Sequence, residues 1–239
     1  VLVPLFFSKN IFNTTTLLSG VLGFLSFCFI SSFVYIVNDL ADVKKDRQHS
    51  TKRKRPIASY MVKPWEAIII AIIFLCASVC INIFALSFNW LAFSLLIFYA
   101  MLNLLYSFAL KNVAIVDVFV LSGCYILRVL YGGVVCSVPV SIWLYLTVLS
   151  ASLFMGYGKR RNEITKEKSE TRKVNKNYNY NFLDKNAYLC MTLTLVFYSV
   201  WAYFATREIQ VLNKILIMFS VILVYFIMMK YSKNIETVA

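Results

Sequence analysis

Asn38-Asp39-Leu40-Ala41-Asp42-Val43-Lys44-Lys45-Asp46-Arg47 follows directly on an apolar run at 14–37, and Lys52-Arg53-Lys54-Arg55-Pro56 comes just after it. Asn38, Asp42 and Asp46 recur at i, i+4 and i+8. On a helix they stack on one face, about 6 Å apart per step. Stacked carboxylates repel one another unless positive charge lies among them. A plain solvated loop has no reason to keep its acids in helical register beside lipid. A hard divalent cation relieves the repulsion, and magnesium favours one or two carboxylates plus substrate phosphate oxygens over an all-protein cage. The stretch thus predicts a helix that crosses lipid and ends in a cation site flanked by basic side chains.

The composition agrees with lipid as the solvent. Of the 239 residues 60% are apolar and only 15% charged, against about 25% charged in soluble domains, and the mean hydropathy is +0.73. Seven apolar runs are long enough to span a bilayer, at about 14–37, 64–87, 89–110, 114–136, 140–157, 186–206 and 211–230. Val1–Ser8 is too short and reads as the tail of a further helix. Val1 stands in mid-pattern without an initiator Met, so the expectation is a segment of a longer chain, truncated at both ends and forming one transmembrane domain over 1–239. The fold class is all-α, a polytopic transmembrane helical bundle.

The net charge of +13 is carried by the connections. Residues 38–63 hold eight Lys and Arg, Lys111 one, 158–185 nine and the tail two, against only Lys9, Arg207 and Lys214 on the opposite side. Twenty against three places the long loops on the cytoplasmic face. The same pattern argues against nucleic acid as the partner. Six cysteines fall inside apolar runs with no thiol and histidine set for zinc, and read as small residues in packed helices. Val174–Asn181 is of low complexity, and no chemistry is expected of it.

Two more polar groups lie in or beside the apolar runs. Asp117 and Arg128 are eleven residues apart, close to three helical turns, so they share a stripe. An Arg about 16 Å along a helix is costly in lipid and must face the bundle interior and a partner, either an acid or an anion. The third group is Gly158-Lys159-Arg160-Arg161-Asn162-Glu163, where a span emerges. It reads as positive-inside flanking residues or as an anion site. Carboxylates, a basic run and a buried Arg together suit binding a diphosphate and carrying it off as a leaving group.

Asn38-Asp39-x-x-Asp42-x-x-x-Asp46-Arg47-x-His49, then Lys52-Arg53-x-Arg55-Pro56-Ile57-Ala58-Ser59, resembles the first aspartate-rich signature of the UbiA superfamily of intramembrane prenyltransferases. That resemblance implies a bundle of about nine spans, with a magnesium-diphosphate held between two polar motifs. Asp117 to Arg128 with Gly132-Gly133, and Leu153-Phe154-Met155 leading to Gly158–Glu163, are similar to the decaprenyl-phosphate phosphoribosyltransferase branch. Three positions depart from the wider pattern. No second DxxxD follows Asp117, since Leu121 stands four residues on; Ser50 replaces a usual Pro, and Tyr60 a common Gly.

The resemblance implies magnesium on Asp42 and Asp46, with Asn38 in support and Asp39 adjacent. The donor's diphosphate is expected on that ion and on Lys52, Arg53 and Arg55. Asp117, Arg128, Lys159, Arg160 and Glu163 complete the expected substrate-binding set, the basic ones holding a second phosphate. The expected reaction moves a 5-phosphoribosyl group from phosphoribosyl diphosphate to a polyprenyl phosphate of decaprenyl type, in a prokaryotic cytoplasmic membrane, for a cell-wall precursor. The alternatives are transfer of an isoprenyl group from its diphosphate to an aromatic or other acceptor, or a non-enzymatic membrane transporter or lipid-binding scaffold.

Overall fold

The computed structural model describes all residues except 7–12, 50, 167–177, 207–210 and 237–239. Among the described residues there are helices and turns only: α1 (Val3–Phe6), α2 (Thr14–Gln48), α3 (Pro64–Cys80), α4 (Trp90–Phe108), α5 (Val116–Val135), α6 (Ile142–Lys166), α7 (Tyr180–Ala205) and α8 (Val211–Glu236). Two compact units result, one of Val1–Lys111 with Leu127–Val140, the other of Asn112–Ile126 with Ser141–Ala239. Helix α5 contributes to both.

Among the described residues six helices are long and apolar enough to cross a membrane, and the chain is an integral membrane protein. Of the seven spans expected from sequence, α6 is the one outside that set. Its apolar part ends at Gly158, where the run Lys159-Arg160-Arg161 begins inside the same helix. Element ends also differ from the apolar runs. Helix α2 continues unbroken past residue 37 to Gln48, and α7 starts at Tyr180 rather than 186 because the Asn179 side chain accepts from the Asn181 N–H.

In the first unit, α2 buries Gly20, Gly23, Phe27, Ile30 and Val34, a stripe repeating every three or four residues. Gly23 has to be small, since a Cβ there would lie 2.8 Å from Val135 Cγ1. Polar atoms in the apolar interior are matched internally, as lipid requires. Ser26 and Ser78 each donate to the other's carbonyl at 3.1 and 2.9 Å. Asn82 donates to the Ser78 carbonyl at 2.9 Å and accepts from Tyr131 Oη at 3.0 Å. Asn82 lies in the π-helical turn Ile81–Ala85 that ends α3. The cysteines divide evenly: Cys124, Cys136 and Cys190 are buried as expected, whereas Cys28, Cys76 and Cys80 lie on outward helix faces.

In the second unit, Leu153, Phe154 and Tyr157 of α6 pack with Leu183, Ala187 and Cys190 of α7, joined by Val118, Tyr178 and Ile235. A Cβ at Gly156 would lie 2.6 Å from Val118 Cγ1, so the backbone of α6 approaches that side chain closely. Outward-facing Ile222, Phe226 and Ile227 of α8 suit contact with lipid.

Candidate functional site

Asp39, Asp42 and Asp46 occupy the last turns of α2 in helical register. Each meets a cation from elsewhere in the first unit. Arg55 Nη1 lies 2.6 Å from Asp39 Oδ1 and 2.9 Å from Asp46 Oδ2. Lys111 Nζ lies 2.8 and 2.7 Å from the two oxygens of Asp42, and Lys45 Nζ adds a looser contact at 3.9 Å. Asp46 and Lys111 are buried, at 5% and 8% exposure, so these contacts are screened far less than surface pairs.

Arg55 reaches the acids because the chain turns back after α2. A 3-10 turn at Lys52–Lys54 closes with the Arg55 N–H donating to the Lys52 carbonyl at 2.9 Å. Further on, Arg47 Nε donates to the Ala58 carbonyl at 3.3 Å, and its guanidinium lies 4.0 Å over the Tyr60 ring. Tyr60 has a φ of 64°, a left-handed conformation for which glycine is the usual residue. Lys52 is half-buried, Arg53 and Lys54 are exposed, and Asn38 lies half-buried one turn before Asp42.

The donor set suits magnesium in its chemistry: hard carboxylate oxygens on successive turns, with cationic nitrogens lodged among them where positive charge is needed. Among the described residues, no three His, Cys, Asp or Glu form a closed cage. One or two carboxylates completed by substrate oxygens is the arrangement that magnesium tolerates.

Arg128 also belongs to the first unit. Its Nη2 donates to Tyr99 Oη at 3.0 Å, and Tyr35 is a further hydrogen-bond partner. The guanidinium carbon stands 5.7 and 5.6 Å from the ring centres of Phe27 and Tyr99. The interior partners expected of Arg128 include phenols and ring faces.

The second unit gathers Asp117, Arg160, Glu163 and Tyr178. Asp117 and Arg160 are both 0% exposed. Arg160 Nε stands 2.6 Å from Asp117 Oδ2 with its N–H off the line, a Coulombic contact, and Nη1 donates to Glu163 Oε2 at 2.5 Å. Tyr178 Oη donates to the other Asp117 oxygen at 2.6 Å and accepts from the Ile115 N–H at 2.6 Å. Burial, reinforced by the hydrogen bond to Asp117, pushes the Tyr178 phenol above its ordinary pKa. Arg161 is engaged as well, 2.6 Å from Asp184 Oδ1 and 2.8 Å from the Ile235 carbonyl. Lys159 alone of this basic run is exposed.

The structure places four residues in ways the sequence reading did not foresee. Arg160, expected to hold a second phosphate, sits between two carboxylates in the interior, and Asp117 is enclosed with it. Tyr178 falls in the stretch from which no chemistry was expected; residues 174–177 lie outside the described set, but Tyr178 is buried and hydrogen bonded. Lys111, which the sequence reading counted only toward topology, is the principal partner of Asp42.

The chain matches the model of the UbiA prenyltransferase family over residues 1–237. It is 35% identical over 191 residues to the decaprenyl-phosphate phosphoribosyltransferase of Mycolicibacterium smegmatis, covering 77% of this chain and 58% of that protein. To the enzymes of that name from Mycobacterium tuberculosis and Corynebacterium glutamicum it is 36% and 32% identical, covering 76% and 81% of this chain and 60% and 59% of theirs. The chain thus spans about three-fifths of the length of these curated relatives. In fold it is similar to a UbiA homolog from Archaeoglobus fulgidus solved with GPP and Mg2+, with a TM-score of 0.75 at 20% identity over 94% of this chain and 77% of that one. On the strength of the match over residues 1–237, the chain belongs to the UbiA prenyltransferase family.

Proposed function

We propose that the protein is a magnesium-dependent intramembrane transferase that moves a 5-phosphoribosyl group from phosphoribosyl diphosphate to a polyprenyl phosphate, releasing diphosphate, with its loops on the cytoplasmic side. The observation that carries the reading is the trio Asp39, Asp42 and Asp46 with Arg55 and Lys111 at the end of a membrane helix. Two features favour the phosphoribosyl donor over a prenyl diphosphate. Three relatives that are 35%, 36% and 32% identical to this chain bear the phosphoribosyltransferase name. The second DxxxD is also absent, with Leu121 four residues after Asp117 and a Lys159–Glu163 segment on α6 instead.

Asp42 and Asp46, with Asn38 beside them, would hold magnesium, which when bound neutralises the diphosphate as it leaves. Lys52, Arg53 and Arg55 bind the diphosphate oxygens, Arg as a fork and Lys as a point charge. Lys111 orients Asp42 through both of its carboxylate oxygens. The bond from the anomeric carbon to the diphosphate oxygen breaks, and an ionised oxygen of the lipid phosphate forms the new bond to that carbon. This acceptor carries no proton to remove, in keeping with a site whose nearest imidazole, His49, bonds back to Thr51. Arg128 and Lys159 are assigned to the remaining phosphates, and Arg160 is assigned to orienting Glu163.

Membranes containing the protein should consume phosphoribosyl diphosphate only when a polyprenyl phosphate is added, with the ribosyl label entering the lipid phase. Turnover that ignores the lipid phosphate would rule this reading out.

A further inference from the structure

The nitrogen Arg55 Nη1 bridges Asp39 and Asp46 as a single small cation would, at 2.6 and 2.9 Å. A divalent ion bound to Asp46 Oδ2 would lie about 2.0–2.1 Å from it, leaving no room there for the guanidinium nitrogen. The two other fixed points of the cluster differ in freedom. The Lys111 side chain is 11% exposed and chelates Asp42 through both oxygens, whereas the Arg55 side chain is 37% exposed. The backbone under Arg55 is pinned by its N–H to the Lys52 carbonyl, by the Ser59 N–H to its own carbonyl at 2.8 Å, and by the Arg47 bond to Ala58. A swing of Arg55 therefore requires side-chain torsions only.

We propose that Arg55 and a divalent cation held by Asp42 and Asp46 alternate on Asp46, so that arrival of the metal releases the Arg55 guanidinium to an incoming anion beside Lys52 and Arg53. The inference rests on the metal reading given under the proposed function. It goes beyond that reading by making one residue both the placeholder for the metal and part of the anion site. Metal-free, the acids stay neutralised and the basic segment is partly consumed; metal-loaded, the segment is complete. Metal then binds in competition with Arg55 and in synergy with the anion.

The test uses the full chain in lipid nanodiscs and Mn2+ alone as probe, with free Mn2+ followed by electron paramagnetic resonance. Arg55→Gln should bind Mn2+ about tenfold more tightly than the unaltered protein, inside the usual span of coupling between two sites. Lys54→Gln removes an exposed charge of the same sign and should change affinity by no more than about twofold. A second readout needs no variant: phenylglyoxal modification of Arg55, read by peptide mass, should accelerate when Mn2+ is added. Equal Mn2+ affinity in Arg55→Gln and the unaltered protein, an equal gain in Lys54→Gln, or slower modification of Arg55 with metal each overturns the exchange while leaving the metal site standing. No Mn2+ binding by either the unaltered protein or Arg55→Gln removes the exchange and the metal reading together.

Discussion

Lys111 Nζ chelates both carboxylate oxygens of Asp42, 69 residues away in sequence, at 2.8 and 2.7 Å. The side chains are 11% and 21% exposed, between the screened surface pair and the fully buried one. Removing one partner of a buried pair costs about 3–5 kcal/mol, whereas an exposed pair contributes about 0–1. Lys111→Met should thus lower stability by about 2 kcal/mol in a detergent unfolding titration. The double variant Lys111→Met, Asp42→Asn should recover most of that loss without recovering turnover. Failure of the double variant to regain stability would mean that Lys111 supports the fold by some other contact.

Asp42 and Asp46 differ from Asp39 in their expected weight. Asp42→Asn or Asp46→Asn should reduce turnover by about a thousandfold or more, because the metal offsets the charge of the leaving group. The protein should stay folded and in the membrane, as judged by circular dichroism and membrane fractionation. Near-normal turnover in magnesium would remove that aspartate from the ligand set.

Tyr178 ties the turn before α5 to the buried acid. Its oxygen takes the Ile115 N–H, and Ile115 has a φ of 70°, strained for a β-branched residue. Tyr178→Phe should cost about 1–3 kcal/mol of stability, the usual cost of leaving a buried donor and acceptor unmatched. The sign with pH also follows. A phenol whose pKa is raised in the folded state stabilises it fully below the unfolded value near 10 and loses that contribution as pH rises further. Thermal melts from pH 8 to 11 should fall more steeply for the unaltered protein than for Tyr178→Phe.

Much of this arrangement is legible in the sequence because it is local. Apolar runs give the helices, and the four-residue spacing puts Asp42 and Asp46 on one face whatever else the chain does. What escapes is set by chain reversal. Arg55 meets Asp39 and Asp46 only because the turn at Lys52–Lys54 folds back on α2, and Lys111 is reached through α3 and α4. Arg160 shows the opposite failure: a basic residue at a span's end reads as solvated, yet buried Asp117 draws it inside. Composition misled at Tyr178, since Asn, Tyr and Lys in alternation look unstructured although that phenol has two defined partners.

The asymmetry of basic residues predicts a shared face for the connections at 38–63 and 158–185. Lys54 and Asn181 are exposed and suit single-cysteine labelling on a cysteine-free background. In intact cells both should resist an impermeant thiol reagent and react once the membrane is opened. Labelling of one alone in intact cells would break the assignment of both connections to the cytoplasmic side.

Choice of donor turns on Lys159. A prenyl diphosphate carries only its diphosphate as anion, whereas phosphoribosyl diphosphate with a lipid phosphate brings two further phosphates. More anion requires more fixed cation. Arg160 and Arg161 meet Asp117, Glu163 and Asp184, and Lys159 is the residue of that run exposed on α6, where a phosphate could reach it. Lys159→Ala should weaken apparent binding of phosphoribosyl diphosphate or of the lipid phosphate by about 1.5–3 kcal/mol, as for loss of a charge-assisted hydrogen bond, with little change in stability. Arg160→Ala should instead destabilise the second unit, because it leaves Asp117 buried without its cation. The same preparation, offered radiolabelled phosphoribosyl diphosphate and separately an isoprenyl diphosphate with an aromatic acid, should transfer label from the first alone. Label arriving from the isoprenoid and none from the ribosyl donor would return the protein to prenyl transfer, and Lys159 would then be a membrane-flanking lysine with no phosphate to hold.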